Sequence, residues 1–118
     1  MGLQSFRELD TWKKAMELVV EVYRVTAEMP KDERHGLSGQ MRRAAVSIPS
    51  NIAEGYGRAH RGEYTHHLAI ARGSLRELET QSEITRRLGM TNSEGMDDVL
   101  KLQDETGRLL TRLIQSLR

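Results

Sequence analysis

The sequence predicts an all-α fold, an antiparallel up-down-up-down four-helix bundle, on three observations. Apolar residues recur in steps of three and four over four separate stretches, the spacing that keeps them on one side of a helix. No stretch alternates apolar and polar residues as a half-buried strand would. The stretches are separated by short turns marked by proline, glycine or small polar residues, and short connections set successive helices antiparallel.

The first helix is announced by Ser5-Phe6-Arg7-Glu8, a capping-box pattern with Ser5 as N-cap and Glu8 reaching back. Leu9, Trp12, Met16, Val19, Tyr23 and Thr26 form its stripe; Ala15, Val22 and Met29, with Leu18 and Val25, widen it. So broad an apolar face suggests contacts on two sides, one of them the bundle core. Pro30 ends the helix, and Lys31 to Gly36 is a polar loop.

The second helix carries Leu37, Met41, Ala44, Ala45, Ile48 and Ile52, with Pro49 inside it. Proline has no N–H for the Ala45 carbonyl, and its ring crowds that carbonyl. It also pushes Ile48 away from helical geometry. A kinked helix follows, or two short helices meeting at Ser47–Asn51, where Ser47, Ser50 and Asn51 can bond to stranded backbone groups. Gly55 or Gly57 ends it in a left-handed cap.

The third helix, from about Glu63 to Leu88, has a heptad-like seam of Tyr64, Leu68, Ala71, Leu75, Leu78, Ser82 and Thr85. Glycine costs a helix interior about 1 kcal/mol against alanine, so Gly73 suggests close approach of another backbone. Gly89 fits a C′ position. The fourth helix, capped by Thr91 (with Glu94) or by Ser93, runs on Val99, Leu102, Thr106, Leu109, Leu110, Leu113, Ile114 and Leu117. Asp97 and Asp98 near its start, and Arg112 and Arg118 near its end, suit the helix dipole.

With 118 residues the chain reads as a single domain, 1–118, whose core must be aliphatic because aromatics are only 4%. The absence of cysteine excludes disulfides and thiolate metal sites. No apolar run approaches the roughly 20 residues of a membrane span, and Arg7, Glu8 and Asp10 interrupt any signal-peptide pattern. The expectation is a cytoplasmic protein with no membrane partner. Net charge is +1, but Arg34 to Arg76 holds seven arginines against two acids and all four histidines. That segment is +5 and the remainder −4, so part of the surface is expected to be positive.

Arg42, Arg43, Arg58, His60, Arg61, Arg72 and Arg76 are therefore candidates for binding nucleic-acid phosphates. The alternative is a merely solvated charged face. Only Tyr56 and Tyr64 lie near enough to stack on bases, so contact with RNA or DNA would run through the backbone, tolerate sequence and weaken with salt. Glu63-x-x-His66 is half of a di-iron bundle motif, and no second Glu-x-x-His exists to complete it. His60, Glu63 and His67 could share a helix face, but surface histidines explain them as well. No nucleophile frame is recognisable, and Gly55-x-Gly57 follows a helix and lacks the spacing of a nucleotide loop. The reading is of a protein that is not an enzyme and takes no metal or cofactor.

Ser47, Ile48, Pro49, Ser50, Asn51, Ile52, Glu54 and Gly55 are candidates for a subunit contact, since a symmetric assembly would give the polar members partners. The other reading is that they only shape the helix. The run Gln40-Met41-Arg42-Arg43-Ala44-Ala45-Val46-Ser47-Ile48-Pro49-Ser50-Asn51-Ile52-Ala53-Glu54-Gly55 resembles the signature of the four-helix-bundle proteins encoded in 23S rRNA intervening sequences. Phe6-x-x-Leu9-x-x-Trp12-x-x-Ala15 and Ala71-x-Gly73-Ser74-Leu75-x-Glu77-Leu78-Glu79 look like that family's first and third helices. The resemblance implies a ring-like homopentamer. It also implies distant kinship with the accessory protein of diversity-generating retroelements, which works with a reverse transcriptase and nucleic acid. Together these readings expect a non-enzymatic oligomeric scaffold that contacts RNA or DNA through a basic face. A reverse transcriptase would be its partner if the chain is retroelement-linked, and the alternative is a structural or protein-binding ring without nucleic acid.

Overall fold

The computed structural model describes residues 5–118, the Ser93 side chain excepted. Four helices form: α1 Asp10–Thr26, α2 Leu37–Tyr56, α3 Arg61–Arg87 and α4 Ser93–Ser116; short 3-10 turns occupy Phe6–Glu8 and Lys31–Glu33. No strand is present among the described residues. Each helix packs on two others in a cycle: α1 with α2 and α4, α3 with α2 and α4. Across the diagonals the backbones of α1 and α3, and of α2 and α4, stay apart. Side-chain pairings fix the directions. Ser47 meets Ser74 while Met41 meets Thr85, and Arg61 reaches Leu117 while Ser82 meets Gln103. Residue numbers rise on one helix as they fall on its neighbour, so the helices are antiparallel.

The core is aliphatic. Leu18 and Val22 of α1, Ile48 and Ile52 of α2, Leu68, Leu75 and Leu78 of α3, and Val99 and Leu110 of α4 are fully buried. Full burial of each such side chain contributes about 1.5–3 kcal/mol. Through α3 the expected seam holds from Leu68 to Thr85, with Tyr64 half-buried and Gln81 added. In α1 the buried apolar stripe is Ala15, Leu18, Val22 and Val25, the set that had only widened the expected one; of the expected stripe itself Thr26 is buried. Met16 and Tyr23 stand on the outside.

Four local expectations are corrected. Ser5 caps the 3-10 turn, accepting from the Arg7 N–H at 3.1 Å, and α1 starts later with Leu9 as its N-cap. α2 passes Pro49 unbroken, so two short helices do not form, and Gly55 lies inside it. Its cap, Gly57, has right-handed geometry (φ −79°), whereas Gly89 takes the left-handed conformation at φ 64°. α4 is capped by Asn92, whose Oδ1 accepts from the Glu94 and Gly95 N–H groups at 2.7 and 3.3 Å. The carboxamide between Thr91 and Ser93 wins because it reaches both donors.

Candidate functional site

The α2–α3 contact is polar along its outer edge and very tight at one end. Ser47 and Ser74 share a hydroxyl–hydroxyl bond of 2.8 Å. The Asn51 amide folds back one turn and donates to the Ser47 carbonyl at 2.9 Å and its hydroxyl at 3.0 Å. Because a carbonyl can only accept, that bond fixes the amide's orientation and leaves Oδ1 facing His67 Nδ1 at 3.1 Å. His67 therefore donates from Nδ1. Beyond it Glu54 Oε2 is 4.0 Å from the same nitrogen, and Glu54 pairs with Arg58 at 3.6 Å. Next to this chain Gly55 lets the helices close: a Cβ there would sit 2.7 Å from the Cβ of His67 and 3.1 Å from the Tyr64 ring. The close approach expected of Gly73 belongs to Gly55. Gly73 is exposed, with nothing within 4 Å of a Cβ. Tyr64 Oη is buried without a partner among the described residues, and burial pushes its pKa up from 10.0 to about 12, with Tyr56 adding to the effect.

This arrangement relocates the predicted contact residues. Ile48, Pro49, Ile52 and Gly55 are buried in their own bundle, and Ser47 and Asn51 find their partners within the chain. Only Ser50 and Glu54 of that set are exposed. Of the polar groups that suggested a sister subunit, Ser47 and Asn51 are satisfied across α2–α3.

The basic segment is dispersed. Arg42 turns inward: its Nε donates to Thr26 Oγ1 at 2.8 Å, and its guanidinium lies 4.5 Å from the centre of the Tyr23 ring, over the C-terminal end of α1. It serves that helix end, where cations suit the dipole. Arg61 reaches the Leu117 carbonyl at 3.4 Å. Arg76 pairs with Glu79 at 2.9 Å and lines an α3–α4 groove of about 360 Å³ together with Arg108 and Arg112. Sequence reasoning passed over those two because they fall in the acidic part of the chain. Arg58, His60 and Arg61 stay together at the α2–α3 turn, all exposed, while Arg43 and Arg72 stand apart on their helices. The three histidine and glutamate candidates do not converge: His60 is the α3 N-cap, Glu63 is exposed in its first turn, and His67 is turned to Asn51. No cluster of three or more metal-ligating side chains occurs among the described residues. Among them, too, no helix is long and apolar enough to cross a membrane.

A surface that no single residue announced lies on the outer side of α1. Met16, Val20 and Tyr23 are 38, 47 and 43% exposed, and Val46 of α2 beside them is 40% exposed. Grooves flank α1 on both sides. One, of about 350 Å³, runs between Trp12, Met16 and Val19 of α1 and Val46, Pro49 and Ala53 of α2. The other, of about 630 Å³, lies between Met16 and Val20 and the Leu102 region of α4.

The model of the family described as 23S rRNA-intervening sequence protein matches residues 7–112. The chain belongs to that family. Its fold is shared by a protein of unknown function from the S23 ribosomal protein family of Bacteroides thetaiotaomicron. The two align with a TM-score of 0.81 at 23% identity, over 89% of this chain and 95% of the other. No curated protein matches the chain. In this member of the intervening-sequence family, the signature from Gln40 to Gly55 does much of its packing within the chain. It supplies the α2 core residues, the inward Arg42, the Ser47–Asn51 bonds and the glycine against which α3 closes.

Proposed function

We propose that this intervening-sequence protein is a non-enzymatic scaffold that works as a homo-oligomer, a ring-like pentamer by its family resemblance, bent at Pro49 and acting in the cytoplasm. The observation that carries the oligomer is the apolar outer face of α1, a contiguous set of large side chains of the kind that marks an interaction surface. The partner we assign to the ring is RNA or DNA backbone, held at the α2–α3 turn by Arg58, His60 and Arg61, with Arg43 and Arg72 as further, separate contacts along their helices. Arg58 has only a surface ion pair, a kind worth about 0.2–1 kcal/mol, so a phosphate can displace it. Symmetry repeats these charges around the axis and multiplies a modest local field. A reverse transcriptase would share the nucleic acid if the chain acts with a retroelement.

A gel shift with structured RNA tests the binding. The expected result is a shift at low salt that fades at moderate salt and is weakened by Arg58→Ala/Arg61→Ala. No shift at low salt overturns it and leaves the second reading, a ring that holds only protein. The inward turn of Arg42 onto Thr26 and Tyr23 favours that second reading.

A further inference from the structure

Two apolar surfaces remain uncovered, on helices at opposite corners of the bundle. One is the outer face of α1. The other runs along α3, where Ile70, Gly73, Glu77, Thr80, Ile84 and Leu88 succeed one another in steps of three and four, so they share one side of the helix. Ile70, Ile84 and Leu88 are 40, 43 and 60% exposed, Gly73 has open space above it, and Glu77 and Thr80 are exposed between them. Since α1 and α3 occupy opposite corners of the helix cycle, the two faces look away from each other.

The geometry points to a head-to-tail contact in which the α3 stripe of one chain lies along the outer face of α1 of the next. This deepens the proposed homo-oligomer and rests on it. The occupant is a second copy, on two grounds. Unpaired charges favour the match: among the described residues Glu77, in the middle of the α3 stripe, has no ion-pair partner, and on the rim of the α1–α4 groove two unpaired lysines, Lys13 and Lys101, outnumber the one unpaired acid there, Asp98. The neighbouring α3 carboxylates are already engaged, Glu79 by Arg76 and Glu83 by Arg86 and Arg87. A single heterologous contact also covers both faces at once. A two-fold contact of α1 on α1 would leave Ile70, Ile84, Leu88 and Glu77 in water. Heterologous contacts close into rings when their rotation permits.

Complementary single-face variants test this. Val20→Asp disables the α1 face and Ile84→Asp the α3 stripe; both sites are exposed, and circular dichroism checks that each variant is folded. Light scattering on the wild type should give a multiple of the 13.5 kDa chain mass, and each variant alone should give the chain mass. An equimolar mixture should give a heterodimer of twice that mass and no larger species, because one intact α3 stripe meets one intact α1 face. Variants that both retain the wild-type mass overturn the contact while leaving the oligomer standing. A mixture that stays at chain mass, or a loss of assembly in only one variant, overturns the pairing of these two faces. A wild type at chain mass overturns the oligomer itself.

Discussion

The α2–α3 seam and the outer face of α1 divide the polar and apolar residues of the chain in opposite ways. The seam encloses serine, asparagine and histidine and pairs them with one another. The α1 face leaves methionine, valine and tyrosine in contact with solvent. Polar residues in a helix contact usually suggest a missing partner, and apolar ones on a surface are often unremarkable. Here the serine, asparagine and histidine of the seam are paired, with the Tyr64 hydroxyl the exception, and the apolar set is left uncovered. The contrast teaches that satisfaction, and not residue type, separates the part that builds the fold from the part that can receive a partner.

Substitutions can break that contrast. The largest effect is expected at Gly55, where any side chain collides with His67 and Tyr64: Gly55→Leu should lower stability in urea by about 3 kcal/mol, the upper range for overpacking. Asn51→Leu should cost about 2 kcal/mol in the same assay, because the Ser47 hydroxyl and His67 Nδ1 each lose a partner in a half-buried site. Gly73→Ala should act in the opposite direction and stabilise the isolated chain by about 0.5–1 kcal/mol, since within the chain the added methyl meets nothing and alanine is the better helix former. Val20→Asp on the α1 face should leave the stability of the folded chain within about 0.5 kcal/mol.

A pH titration sharpens the seam side. The Tyr64 pKa is raised in the folded chain from 10.0 to about 12, so the folded state holds the phenol proton more tightly than the unfolded one. Its stabilising contribution is complete below pH 10 and disappears as pH rises through 12. Circular dichroism from pH 9 upward should show an alkaline loss of stability that is smaller in Tyr64→Phe, a variant that also removes an unpaired buried hydroxyl.

Much of this fold was legible in the sequence. The α3 seam was read almost residue by residue, and its ends, Arg61 and Arg87, lie within two positions of expectation, because one strong heptad pattern has no rival. α1 was harder: two adjacent stripes are both apolar, and periodicity does not rank them. The core took the stripe of Ala15, Leu18 and Val22, and the wider face survived as surface. The role of Gly73 was misread for Gly55 because helix spacing says that a glycine permits contact, not which neighbour comes close. The arginines were the least legible. Whether Arg42 faces solvent or Thr26 depends on a contact 16 residues away in the chain, and charge density along a segment carries no such information.

Iodide quenching of Trp12, the sole tryptophan, tests most directly whether the α1 face is covered in solution, since its ring borders the α1–α2 groove. The account predicts that Trp12 is well protected in the wild type and distinctly more accessible in folded Val20→Asp. Equal quenching in the two proteins would contradict it.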